Sequence, residues 1–309
     1  MSILTLTVSP AIDKSTTIDK LVPEQKMRCA TPRYDAGGGG INVSKAIHKL
    51  GGSSLAILTA GGPSGQMLKD ILTKQQIDFE AVETEQWTRE NFIVTDTSTN
   101  AQYRFGLPGA ALTESEKQAF LATISKHKPD YVVASSSLPP LMEVGFYEKV
   151  AAATKKVGAR LILDTSGEPL KAACDEGVYL LKPSIDELSA LVGVENLEMD
   201  DVDDAARTLI GKGKCEVVVV SLGPKGALLV TADICEYVPA PTIHKKSTVG
   251  AGDSMVAGMT WALVQKKSYS EMVRWGVACG SAATMNEGTE LFKKEDVLRL
   301  YDWIVRLKA

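Results

Sequence analysis

Four valines in a row, Val217 to Val220, lie between a stretch of helical periodicity and the polar Ser221. A strand with one wet face alternates apolar and polar residues, so a run with no polar member needs cover on both faces. Where such runs alternate with helices, the arrangement that supplies this cover is a mostly parallel sheet between two helical layers. Ile3 to Val8, Ser53 to Thr59, Tyr131 to Ala134, Arg160 to Leu163 and Val178 to Leu181 read as further strands. Ser64 to Gln75, Glu114 to Lys126, Gly145 to Lys156, Asp186 to Leu191, Val202 to Gly211, Ser270 to Asn286 and Lys294 to Leu307 read as helices. Ala227 to Thr231 and Ile234 to Val238, joined by Ala232 and Asp233, predict an antiparallel hairpin at one edge.

Two stretches break this α/β rhythm. Residues 14–36 hold two extended segments, Ser15 to Ile18 and Met27 to Tyr34, separated by Pro23 with no helix between them. Residues 91–106 read as a hairpin turning near Ser98 to Asn100. Together they predict a small β layer added to a single domain over residues 1–309, which contains no repeat, linker or low-complexity tract.

A formal net charge of −4 argues against a general nucleic-acid binder, which needs a basic surface to displace counterions. It leaves room for a phosphorylated small substrate, because a few cations converging on one pocket suffice. The five cysteines form no Cys-x-x-Cys pair and the three histidines are isolated, so reduced thiols and no zinc site are expected. Ile3 to Val8 has no basic segment before it and is too short to span a bilayer, so it reads as a strand of a cytoplasmic protein with no membrane partner.

The chemistry concentrates near the C-terminus. Ser247, Thr248, Val249, Gly250, Ala251, Gly252 and Asp253 precede a run of apolar and small residues, Met255 to Val264, at helical spacing. A helix start offers unpaired amides and the positive end of its dipole, and Gly250 and Gly252 let an anion approach that backbone. Asp253, in the first turn, reads either as a residue favoured there by the dipole or as a base for a substrate hydroxyl beside a transferring phosphoryl group. A second glycine run, Gly37 to Gly40, leads into Ile41 to Leu50, which has apolar residues at 43, 46, 47 and 50 and ends at Gly51. Asn42 there can donate to and accept from hydroxyls. Asp13, Ser135 to Ser137, Asp164, Lys182 and Ser221 follow apolar strand runs, as ligand residues do at the carboxyl edge of an open sheet. Asp13 alone reads as an exposed turn residue.

Thr248 to Ser254 resembles the C-terminal signature of the ribokinase-like (PfkB-type) carbohydrate kinases, and Gly37 to Asn42 resembles their N-terminal one. The likeness continues, in family order, through Thr88 to Asn91, Gly109 to Leu112, Ser136 to Pro140, Lys182 and Pro183, Val220 to Gly226 and Gly280 to Thr284. Within the family the chain is most similar to the minor type of bacterial 6-phosphofructokinase. The resemblance implies ATP as phosphoryl donor, Mg2+ as cofactor, Asp253 with Gly250 and Gly252 as catalytic groups, and a β lid over the sugar that doubles as a homodimer surface. It implies Asp13, Gly38, Gly39, Asn42, Ser137 and Arg89 on a phosphorylated hexose, with Lys26 and Arg28 beside them as phosphate partners and Arg33 and Arg104 as further candidates. For the nucleotide it implies Lys182, Glu187, Ser221, Gly223, Gly226, Thr248 and Asn286, with Glu187 orienting magnesium-bound water. Ser247, Val249, Asn286 and Gly288 resemble a monovalent-cation site for K+ built from backbone carbonyls. Many relatives have Asn where this chain has Ser184, three residues before Glu187, and serine reaches less far.

The expected reaction is phosphorylation of fructose 6-phosphate on its 1-hydroxyl. Tagatose 6-phosphate or fructose 1-phosphate would use the same mechanism; relatives with those activities more often carry Gly-Gly-Lys-Gly where this chain has four glycines. A non-catalytic sugar-phosphate sensor is the reading of another class, which the intact Asp253 opposes. A nicotinamide dehydrogenase is excluded because Val43 stands where Gly-x-Gly-x-x-Gly needs its third glycine, and no P-loop sequence is present.

Overall fold

β1 (Ile3–Thr7) is buried at every residue and is followed by two short strands, β2 (Ala11–Ile18) and β3 (Arg33–Gly37), before the first helix, α1 (Gly39–Lys49). The chain then alternates through β4 (Leu55–Ala60), α2 (Gly62–Lys74) and β5 (Phe79–Glu83) to a hairpin of β6 (Arg89–Asp96) and β7 (Ala101–Phe105). The pattern continues through α3 (Glu114–His127), β8 (Tyr131–Ser135), α4 (Phe146–Lys156), β9 (Arg160–Asp164), α5 (Gly167–Glu176), β10 (Val178–Leu181), α6 (Ile185–Val192) and α7 (Val202–Gly211). It closes with β11 (Cys215–Ser221), β12 (Gly226–Val230), β13 (Cys235–Pro239), α8 (Ala251–Val264), α9 (Tyr269–Thr284) and α10 (Lys294–Arg306). The structure is a computed structural model and describes residues 1–286 and 289–307.

Nine strands form the main sheet in the order β13-β12-β11-β10-β9-β8-β1-β4-β5. From β11 to β5 every neighbour is parallel, and β12 and β13 add the antiparallel edge that the sequence predicts. Parallel pairing puts the carboxyl ends of β1, β8, β9, β10 and β11 along one edge, where Ser135, Asp164, Lys182 and Ser221 lie. The valine run behaves as its composition requires. Val217 and Val219 pack into the core shared with α1, α8, α9 and α10, while Val218 and Val220 pack into the core shared with α3 to α7. Each fully buried valine contributes roughly 1.5–3 kcal/mol relative to exposure, so sheet and helical layers stabilise each other.

The second sheet has four strands in the order β3-β2-β6-β7. Its base is seated on the main body by Ile12 and Ala36, which pack with Leu58, Leu68 and Leu72. β2 and β6 run parallel and set Asp13 opposite Asn91, while Tyr34, Lys14, Phe92 and Phe105 form one row across all four strands. No helix among the described residues is long and apolar enough to cross a membrane.

Several local expectations need correction. Asp13 is not a turn residue beyond the first strand; it is the third residue of β2, in the second sheet and only partly accessible. Of the segment Met27 to Tyr34 only its last two residues are strand, because β3 begins at Arg33. The helix after the first glycine run begins at Gly39, two residues before Ile41. β5 and α5 were not anticipated: β5 is a partly exposed edge strand, and α5 is short, with Pro169 in its first turn.

Candidate active site

α8 begins where the glycines release the chain from strand-like geometry. Gly250 is its N-cap at φ 70°, a left-handed conformation that glycine adopts at little cost. Leu291 packs against the open face of Gly250, and a Cβ there would come within 2.6 Å of its Cδ2. The amides of Gly252 and Asp253 find no acceptor among the described residues, so they are free to receive an anion at the positive end of the helix.

Asp253 is the third residue of α8, and both its carboxylate oxygens are held. Asn42 of α1 donates to Oδ2 at 3.0 Å, and Ser135 at the end of β8 donates to Oδ1 at 2.9 Å. α1 can come this close because its first turn is glycine; a Cβ on Gly39 would sit 1.9 Å from the Ser135 carbonyl oxygen. Asp253 keeps partial access to solvent but is ringed by protein atoms. Burial, the largest influence, pushes its pKa up to about 6; Asp164 adds to the rise, and the Asn42 and Ser135 bonds and Lys182 oppose it. Lys182, itself buried, pairs with Asp164 at 3.0 Å. Both reach the open face of Gly252, where an added Cβ would lie 3.7 Å from Lys182 Nζ and 3.8 Å from Asp164 Oδ2. A cation and a carboxylate therefore flank the helix start.

The second sheet supplies another cluster. Asn91 donates to Asp13 Oδ1 at 2.8 Å, and the other carboxylate oxygen lies against Gly37, where a Cβ would stand only 2.4 Å away. Burial, chiefly, raises the Asp13 pKa, against the Asn91 bond and the fields of Lys45 and Arg89. Arg89 donates to the carbonyls of Leu107 and Ser9 at 3.1 and 3.2 Å, leaving its Nε buried without a partner. Asn42 Oδ1 is likewise buried with no donor. One orphan acceptor and one orphan cationic donor suit a ligand that offers hydroxyls and anionic oxygens.

Other expected site residues are placed less directly. Lys26 and Arg28 lie on the exposed segment between β2 and β3 and make no hydrogen bond or ion pair among the described residues. Ser137 is exposed, while its neighbour Ser136 bonds Tyr147. Arg33 pairs with Asp35 and Glu290, and Arg104 with Gln102, so both are occupied locally. Gly38 caps α1 at φ 125°. Ser184 and Glu187 form a capping box at the start of α6: Ser184 accepts from the Glu187 amide at 3.2 Å, and Glu187 accepts from the Ser184 amide at 2.8 Å. That gives Ser184 a structural role that does not need the reach of asparagine. Ser221 ends β11 against Pro183, Gly223 and Gly226 shape the turn into β12, and Thr248 accepts from the Ala251 amide. Ser247 accepts from the Val249 amide, and Asn286 donates to the carbonyls of Ala282 and Leu291. Gly288 lies outside the described residues. Ser135 and Asp164, read from the sequence only as polar strand ends, here gain definite partners in Asp253 and Lys182. Asn91 was assigned no role from the sequence, since its partner follows from the register of β2 against β6.

Comparison with known proteins identifies relatives along the whole chain. The chain is 44% identical over 306 residues to ATP-dependent 6-phosphofructokinase isozyme 2 of Escherichia coli (strain K12), covering 98% of this chain and 99% of that protein. Its fold matches the crystal structure of phosphofructokinase-2 from Escherichia coli in complex with potassium, at TM-score 0.95 and 44% identity over 99% of each chain. The crystal structure of the same enzyme in complex with fructose-6-phosphate matches at TM-score 0.93 and 42% identity, again over 99% of each chain. The profile of the pfkB family carbohydrate kinases matches residues 7–295, and the chain belongs to that family.

Proposed function

We propose that this protein transfers the γ-phosphoryl group of ATP to the 1-hydroxyl of fructose 6-phosphate. The observation that carries the reading is the Asp253 carboxylate, fixed by Asn42 and Ser135 in the first turn of a helix whose amides are open. Asp253 takes the hydroxyl proton as that oxygen attacks phosphorus. The Gly250 to Gly252 backbone and Lys182 stabilise charge on the transferring group, which is where most of the catalysis of phosphoryl transfer lies. A pKa near 6 suits this task, because the base is ionised at neutral pH yet still binds a proton in the transition state.

Asp13, Gly38, Gly39 and Asn42 bind the sugar, with the orphan Asn42 Oδ1 accepting from a sugar hydroxyl. Arg89 binds the substrate phosphate through its spare donors, and Lys26, Arg28 and Ser137 reach it when the second sheet, carrying the lid segments 14–36 and 91–106, closes over the sugar. Ser221, Gly223, Gly226, Thr248 and Asn286 bind the nucleotide. No cluster of three or more His, Cys, Asp or Glu side chains suited to a metal occurs among the described residues, and Mg2+ would be held partly by the nucleotide phosphates. Glu187 and Asp164 would hold its water shell, and the ion would supply charge neutralisation at the phosphates. K+ would be held by the backbone carbonyls of Ser247, Val249 and Asn286 that the family resemblance implies, with Gly288 outside the described residues.

The second sheet presents Tyr34, Phe92, Tyr103 and Phe105 as exposed aromatic surface, which supports a homodimer formed through the lid. The five thiols are free, in keeping with a reducing cytoplasm. The function is tested by ADP release in the presence of magnesium with fructose 6-phosphate, tagatose 6-phosphate, fructose 1-phosphate and fructose in parallel. Clear preference for fructose 6-phosphate is expected. Preference for another phosphosugar changes the substrate and keeps the mechanism, while no release with any of them favours a sugar-phosphate sensor.

A further inference from the structure

One turn along α1 from Asn42, the helix borders a cavity of about 430 Å3 that Asp253 does not line. Lys45, Lys49 and Lys293 face it together with Asp35, Glu290 and Gln75. Arg33 binds both acids, Asp35 at 2.8 Å and Glu290 at 2.9 Å, and Asp13 adds its field at Lys45, so among the described residues the neighbourhood holds four cations against three carboxylates. This local excess of positive charge stands in a protein whose formal net charge is −4.

Lys49 and Lys293 have no ion-pair partner among the described residues, and Lys49 adds to the burial that already lowers the pKa of Lys45. Lys45 is only 7% exposed and makes a single hydrogen bond, to the Ala36 carbonyl at 3.2 Å, although an ammonium has three donors. Gln75 Oε1, also at the cavity, is buried without any donor. Clustered cations with unspent donors, beside an orphan acceptor, complement a ligand that carries two negative charges and a hydroxyl.

We propose that this cavity binds a small hydroxylated dianion, bearing phosphate or carboxylate groups, and that its occupancy alters the active site. Two walls connect them. α1 carries Lys45 and Lys49 at the cavity and Asn42 on Asp253. The opposite wall, anchored where Asn286 donates to the Leu291 carbonyl at 3.0 Å, presses Leu291 onto Gly250. A ligand drawing Lys49 and Lys293 together shifts both supports of the helix start.

The test is isothermal titration of the full-length protein with glycerol 3-phosphate and with citrate, in the wild type and in the double variant Lys49→Ser/Lys293→Ser. Both lysines are exposed, so the variant is expected to melt with the wild type in anion-free buffer. Binding of one probe, weakened tenfold or more in the variant, is the expected result, and the probe that binds identifies the anionic group. Gln75→Leu, which removes the orphan acceptor from a separate element, weakens the same event threefold or more and serves if the double variant misfolds. Equal binding in all three proteins places the anion at the catalytic cradle and overturns the proposal, as does no binding to the wild type. A second readout is turnover: the bound probe changes kcat or KM of the wild type and not of the double variant. Absence of any kinase turnover would count against the proposed function and leave the titration result standing.

Discussion

A carboxylate that must be charged to work and is held where charge is disfavoured leaves a signature in both rate and stability. Asp253 titrates at about 6, raised from 3.8 mainly by burial. As the base it acts deprotonated, so kcat is expected to fall about tenfold for each pH unit below 6 and to be flat above about 7, measured with saturating substrates. Stability runs the other way. A raised folded-state pKa means that the fold favours the protonated acid, so the contribution present below about 4 is lost as pH rises through 6. Full conversion of that difference gives about 3 kcal/mol, and the partial access to solvent brings the expected cost to about 1–3 kcal/mol. Asp253→Asn escapes it. Urea unfolding should find the variant more stable than the wild type at pH 8, with the gap closing near pH 4; equal stability at pH 8 would show that the buried charge is not strained.

Elements separate the structural from the chemical residues. At α6, Ser184→Ala removes a cap whose loss costs about 1 kcal/mol, so the melting temperature should fall by about 2 °C with kcat little changed. Glu187→Gln keeps the reciprocal cap, since Gln reaches the same amide, and removes the charge. Turnover falling tenfold or more at unchanged melting temperature is the outcome for a residue that orients magnesium-bound water, and unchanged turnover would assign Glu187 to the cap alone. The main sheet was legible because its buried runs, Val217 to Val220 above all, admit only two-sided cover, and the start of α8 was legible from its glycines. β5 was not, because an edge strand with partly exposed residues carries no apolar run. Asp13 was misplaced for a related reason: a strand of a second sheet starts four residues after β1 ends, where the rhythm calls for a loop. Ser135 and Asp164 could be read as strand ends, but their convergence on Asp253 depends on the sheet order, and the Asn91 bond to Asp13 depends on register. Neither is written locally in sequence.

At the scale of the whole molecule, the second sheet joins site to surface. Asp13 and Asn91 meet on one side of it, while Lys14 lies 5.6 Å from the Tyr34 ring and 5.5 Å from the Phe92 ring on the other, in the row that ends at Phe105. Aromatic surface with a cation held over it suits burial against a second copy better than exposure to water. If the proposed dimer forms through this sheet, Phe105→Asp shifts the protein from dimer to monomer in light scattering and raises KM for the sugar phosphate severalfold, since the proposed lid belongs to the same sheet. A monomeric wild type would remove the dimer from the account without touching the active site. The central claim is that Asp253 is the base, and single-turnover phosphorylation of fructose 6-phosphate by Asp253→Asn, with ATP binding followed in the same samples, tests it most directly. A rate lower by about a thousandfold or more with ATP affinity within about threefold of the wild type is the predicted result. A rate within tenfold of the wild type would contradict it and move the proton to another acceptor.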